Sequence, residues 1–99
     1  MKKTKKKLPR YVLRLYVAGT TEASVRAIAS IKAVCDEHLA GEYSLEVVDI
    51  YQQPKLARDE QIVAVPTLIK ALPKPLRLLV GDMSNLERVL IGLDIIKKR

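Results

Sequence analysis

Cys35, His38 and the carboxylates are the side chains here suited to covalent or proton-transfer chemistry, and their spacing limits them. Cys35 and His38 stand three residues apart, neighbours on a helix, where an imidazole can draw the proton from a thiol. No third group to orient the histidine and no oxyanion device is recognisable nearby. Cys35 also falls on an apolar helical stripe, so it reads as a small core residue and His38 as a surface or helix-end residue. Asp36 with Glu37, and Asp59 with Glu60, read as solvated helix faces rather than as an acid and its base. There is no glycine-rich phosphate loop and no metal-ligand spacing. One cysteine offers no disulfide within the chain, which agrees with a reducing compartment. These residues together predict a protein that is not an enzyme and needs no cofactor or metal.

The net charge of +7 raises nucleic-acid binding, and the distribution of charge argues against it. Nine of the 18 basic residues are Lys2, Lys3, Lys5, Lys6, Lys7, Arg10, Lys97, Lys98 and Arg99. The other nine meet 11 acids between Tyr11 and Ile96, so the body is slightly acidic. Residues 1–10 are expected to be a basic disordered tail, 11–96 a single domain and 97–99 a second basic tail. Pro9, Arg10 and Arg14 break up any secretory signal, and charges interrupt every candidate membrane span. A cytoplasmic protein with no membrane partner follows.

The positioning elements can be read along the chain. "YVLRLYVA" (11–18) is apolar on both faces and predicts a central strand. Val25, Ile28, Ile31, Cys35 and Leu39 recur at three- and four-residue intervals, the stripe of a helix that a threonine caps and Gly41 ends. "YSLEVVDIY" (43–51) is a second strand, parallel to the first through a right-handed crossover. Pro54 opens a short helix, "IVAVPTLIKAL" is a third strand, "PKP" a turn, and "LRLLVGD" a fourth strand in a hairpin. "SNLE" (84–87) fits a capping box before a last helix, with Leu86, Val89, Leu90, Leu93 and Ile95 or Ile96 toward the sheet.

That order, β-α-β-α-β-β-α with Pro66 at the entrance to the third strand, resembles the thioredoxin fold. The resemblance implies a cis bond before Pro66. The redox chemistry does not follow, because "AGTTEASV" holds no C-x-x-C where the first helix begins.

The motifs "LYVAG", "QP-x-LA", "PTL" and "GD-x-S-N-x-E-x-VLIGLD", spread from Tyr11 to Ile96, are similar to those of the KaiB family of the cyanobacterial clock. The resemblance implies a non-enzymatic regulator that docks on KaiC, a hexameric ATPase and autokinase, and in clocks then captures KaiA. It also implies two folds for one sequence: a thioredoxin-like form that binds KaiC, and a resting homo-oligomer, dimer or tetramer, of order βαββααβ. The resting form is the one expected to be seen. Local sequence agrees with such ambivalence. "IGLDII" has β-branched residues and a glycine in a helical segment, whereas Leu68, Lys70, Ala71 and Leu72 are helix formers in a strand.

Carried over by motif, Pro66, Pro73, Pro75, Gly92 and Asp94 are expected to bias the switch, and Arg26, Lys70 and Arg77 to contact the partner. Lys74 splits a proline run common in clock members, and Leu78 and Glu46 replace basic residues common there. These departures leave KaiA capture open and bring relatives linked to stress adaptation nearer. Two readings from other classes remain: a redox protein using the single Cys35, and nucleic-acid binding through the basic tails.

Overall fold

Apolar residues on both faces place Tyr11–Val17 (β1) at the centre of a four-stranded sheet, in a computed structural model that describes residues 8–96. The strand order is β2-β1-β3-β4. β2 (Tyr43–Asp49) runs parallel to β1 from Tyr11 opposite Tyr43 to Val17 opposite Asp49. The long helix α1 (Glu22–His38) supplies the crossover between them. β3 (Thr67–Leu72) lies antiparallel on the other side of β1, and β4 (Arg77–Val80) closes that side as an edge strand. A short helix α2 (Pro54–Asp59) precedes β3 with proline in its first turn, and α3 (Leu86–Gly92) follows β4. No helix among the described residues is long and apolar enough to cross a membrane.

The order is therefore the thioredoxin-like βαβαββα. The resting order βαββααβ, expected above, is not the one adopted here, and tertiary contacts explain the outcome. "TLIKAL" pairs with β1 on one side and β4 on the other, with Leu68 fully buried. "LERVLIG" takes a cap from Asn85 and buries Val89 and Leu90. Burying a residue of that size is worth roughly 1.5–3 kcal/mol, more than the few tenths separating strand from helix propensity.

The core lies on both sheet faces. Leu13, Leu15 and Leu68 meet Ile31, Val34, Val89 and Leu93 on the α1–α3 face, while Tyr16, Val48 and Ile69 meet Leu56 and Ile62 on the α2 face. Two local expectations shift. The buried stripe of α1 is Ser24, Ala27, Ile31, Val34 and Cys35, and Val25 is exposed, because small Ser24 and Ala27 allow the helix to settle closer to the sheet. The cap of α3 is Asn85, whose side chain accepts from the Arg88 amide at 3.1 Å. Ser84 instead donates its amide to Asp82, beside a left-handed Met83 (φ 60°) that ends the preceding loop. The lysine-rich residues 1–7 and 97–99 lie outside the described residues.

Candidate functional site

Lys70 stands opposite Arg77 at the turn end of the β3–β4 ladder, and its side chain is 0% exposed. The turn it faces, Pro73–Lys74–Pro75, contains two residues without amide donors, which leaves its carbonyls short of local partners. An ammonium carries three donors and no acceptor. Lys70 Nζ donates to the carbonyls of Pro73 and Pro75, the latter at 2.8 Å, and lies 3.3 Å from Asp94 Oδ2. Each donor thus has a partner.

Asp94 follows α3 with a left-handed backbone (φ 61°), a conformation aspartate tolerates better than most residues. Arg77 clasps it with a fork, Nε to Oδ2 at 3.1 Å and Nη2 to Oδ1 at 3.3 Å. The Arg77 hydrogen bond, aided by that of Lys70 and opposed by partial burial, holds the Asp94 carboxyl below the usual carboxylate range. The carboxylate joins the hairpin to the end of α3. Two residues earlier, Gly92 lets α3 close on β4: a β-carbon there would stand 2.8 Å from Leu79 Cδ2.

Of the residues singled out from sequence, Lys70, Pro73, Pro75, Arg77 and Asp94 therefore converge at the turn end of the hairpin, while Gly92 packs against Leu79 farther along β4. Pro66 sits at the other end. The peptide bonds before Pro66, Pro73 and Pro75 are all cis, and the Pro66 carbonyl accepts from the Gly81 amide at 3.0 Å. Arg26 stands apart on α1, half-exposed, with Nε 3.4 Å from Asp82 of the β4–α3 loop. The expectation that Lys70 contacts a partner needs correction for this form, because its ammonium is spent inside the hairpin. Arg26 and Arg77 keep exposed surface.

The start of α1, where a redox pair would stand, is a hydroxyl network. Thr21 accepts from the Ser24 amide at 3.3 Å and donates its hydroxyl to Ser24 Oγ at 2.8 Å, while Ser24 Oγ accepts the Ala18 amide at 3.0 Å. Cys35 is buried elsewhere on α1, and desolvation, with a smaller push from Asp36, raises its thiol to about 11. That thiol is protonated at neutral pH, so the arrangement does not favour thiolate chemistry.

The sequence reading missed two features. Lys70 and Asp94 were assigned separate roles, although a lysine inside an apolar strand flanked by a proline-rich turn signals a buried cation in need of acceptors. It also passed over exposed apolar side chains: Tyr51 beside Gly19, Val63 before Pro66, and the β4 stripe.

A family model described as "KaiB domain" matches residues 14–95. The chain is 51% identical over 87 residues to "Circadian clock protein KaiB3" of Synechocystis, covering 88% of this chain and 85% of that relative. It is 50% identical over 86 residues to "Circadian clock oscillator protein KaiB" of Microcystis aeruginosa, covering 87% and 83%. Among solved structures, the N-terminal domain of Synechococcus elongatus SasA aligns with a TM-score of 0.69 at 20% identity, over 100% of this chain and 96% of that one. Fasciola hepatica thioredoxin aligns at 0.72 and 16% identity, over 91% and 84%. At such identities these two likenesses speak for the fold alone.

Proposed function

This chain belongs to the KaiB family, and from that membership we propose that it docks on a KaiC-type hexameric ATPase and modulates its phosphorylation state without itself being an enzyme. The observation that carries the proposal is a family match running from residue 14 to 95, with relatives named as circadian clock proteins. The thioredoxin-like form is then the docking form, and Arg26 and Arg77 are its contact residues. Pro66, Pro73, Pro75, Gly92 and Asp94, with Lys70 as their buried partner, are assigned to the balance between this form and a resting oligomer. A cytoplasmic setting fits this reading, and the setting of the regulation is a circadian or a stress-adaptation system.

Incubating the purified chain with a KaiC-type ATPase and ATP for hours should give a larger species by size exclusion. Charge reversal at Arg26 should weaken it. The reading fails if no complex forms. A redox role for Cys35 finds no support in its burial and raised thiol value. Undiminished activity of a Cys35→Ser variant in any disulfide-reduction assay would exclude it.

A further inference from the structure

β4 is an edge strand whose outer side has no partner strand among the described residues. Its ladder alternates. The Gly81 amide bonds the Pro66 carbonyl, so Gly81, Leu79 and Arg77 turn their backbone groups toward β3, and Leu76, Leu78 and Val80 turn theirs outward. Side chains alternate as well. Leu79 lies against Gly92 of α3, which places Leu78 and Val80 on the opposite sheet face, where the short α2 gives β4 no cover. Leu76, Leu78 and Val80 are 58%, 57% and 60% exposed. Natural edges are commonly blunted by a lysine, a proline or a bulge, and none stands between Arg77 and Val80.

We propose that this edge pairs antiparallel with the β4 edge of a second copy, on a two-fold axis through Leu78. The occupant is chosen by self-complementarity. In this register Leu78 faces Leu78, and Leu76 of each copy faces Val80 of the other, so every outward backbone group meets an outward group and every exposed apolar side chain an apolar one. About six inter-strand hydrogen bonds result. Beyond the paired strands, the turn that carries Lys74 in one copy and the loop that carries Asp82 in the other lie toward the same end of the pair, a cation and an anion at each end. Lys74 has no ion-pair partner among the described residues, whereas Asp82 is shared with Arg26. The Arg77 guanidinium, on the far face, is already neutralised by Asp94 and adds no repulsion across the axis. A shift of two residues would set Leu76 against Asp82 and lose the match. The proposal is independent of the KaiC-type docking described above.

The full chain in analytical ultracentrifugation should show a concentration-dependent dimer. Leu78→Lys sets two ammonium groups opposite each other on the axis and should raise the dissociation constant at least about ten-fold, with circular dichroism unchanged. Val47→Lys, on the β2 edge, should not. Leu78→Cys should form a disulfide-linked dimer on mild oxidation, because paired Cα atoms about 5.5 Å apart fall within disulfide reach. Val80→Cys, facing Leu76, should cross-link far less. A chain that stays monomeric to about 1 mM, a dimer indifferent to Leu78→Lys, or preferential cross-linking at Val80 each overturns the proposal.

Discussion

Replacing Asp94 by asparagine tests the reading of Lys70 most directly, because it removes one negative charge while keeping shape. The buried ammonium would keep two carbonyl acceptors and lose its counter-charge. Removing one partner of a fully buried pair costs about 3–5 kcal/mol. Asp94 is 37% exposed, so water reaches the vacated position and the cost should fall to about 2 kcal/mol. For a chain of this length that is a drop in Tm of about 8–16 °C. The discriminating step is to repeat the substitution in a Lys70→Met background. There the buried cation is absent, and Asp94→Asn should cost only the half-exposed pair with Arg77, about 0.5 kcal/mol. Urea unfolding of the four proteins at pH 7, with unchanged m values, should then give a coupling of about 1.5 kcal/mol. Equal costs in the two backgrounds would refute the argument that Lys70 depends on Asp94.

Three further outcomes follow from the same geometry. The folded value of Asp94 lies below the ordinary one near 3.9, so its contribution is present above that value and lost as pH falls through the depressed folded value; acid titration of stability should be shallower in Asp94→Asn. Cys35 is raised from 9.0 to about 11, so its contribution is complete below pH 9 and lost as pH rises through 11. That span is roughly 2–3 kcal/mol, and urea unfolding of Cys35→Ala should lack this alkaline slope. Gly92→Val should destabilise the thioredoxin-like form by about 2 kcal/mol through the clash with Leu79, and Leu79→Ala should recover part of it in the double variant.

The first half of the chain was legible because its signals were redundant. β1 is apolar on both faces, a helical stripe follows, and the next strand is reached by a crossover whose handedness is nearly fixed. The finer placement of α1 was hidden by Ser24 and Ala27, which a hydrophobic stripe does not count and which are buried because they are small. The cap of α3 was misplaced because Ser84–Glu87 matches the capping-box pattern, while the left-handed Met83 delays the helix start to Asn85. Pro66, Gly92 and Asp94 were found through resemblance, and their placement at one end of the hairpin, against Leu79 of β4 and at the turn was not readable from spacing. The apolar alternation of Leu76, Leu78 and Val80 was visible in the sequence, but only the position of β4 at the edge shows that it lacks a cover.

Lys70 gives the β3–β4 hairpin its specificity at little net gain in stability. In the hairpin its ammonium satisfies two carbonyls that the prolines leave without nearby donors, and it ties the end of α3 to the turn through Asp94. A purely apolar residue there would leave those carbonyls to water, so the cation makes this pairing of the strands specific rather than possible. The gain is nonetheless largely offset, because burying an ammonium costs several kcal/mol before its partners return it. If β3 leaves the sheet, Lys70 regains water, and the carbonyls and Asp94 are hydrated in turn. The specific geometry is therefore strongly selected over a misregistered hairpin, in which the ammonium would be buried without acceptors, yet only weakly favoured over a state that releases the whole segment. An apolar strand in this place would reverse that ranking: tolerant of slippage while folded, and costly to expose.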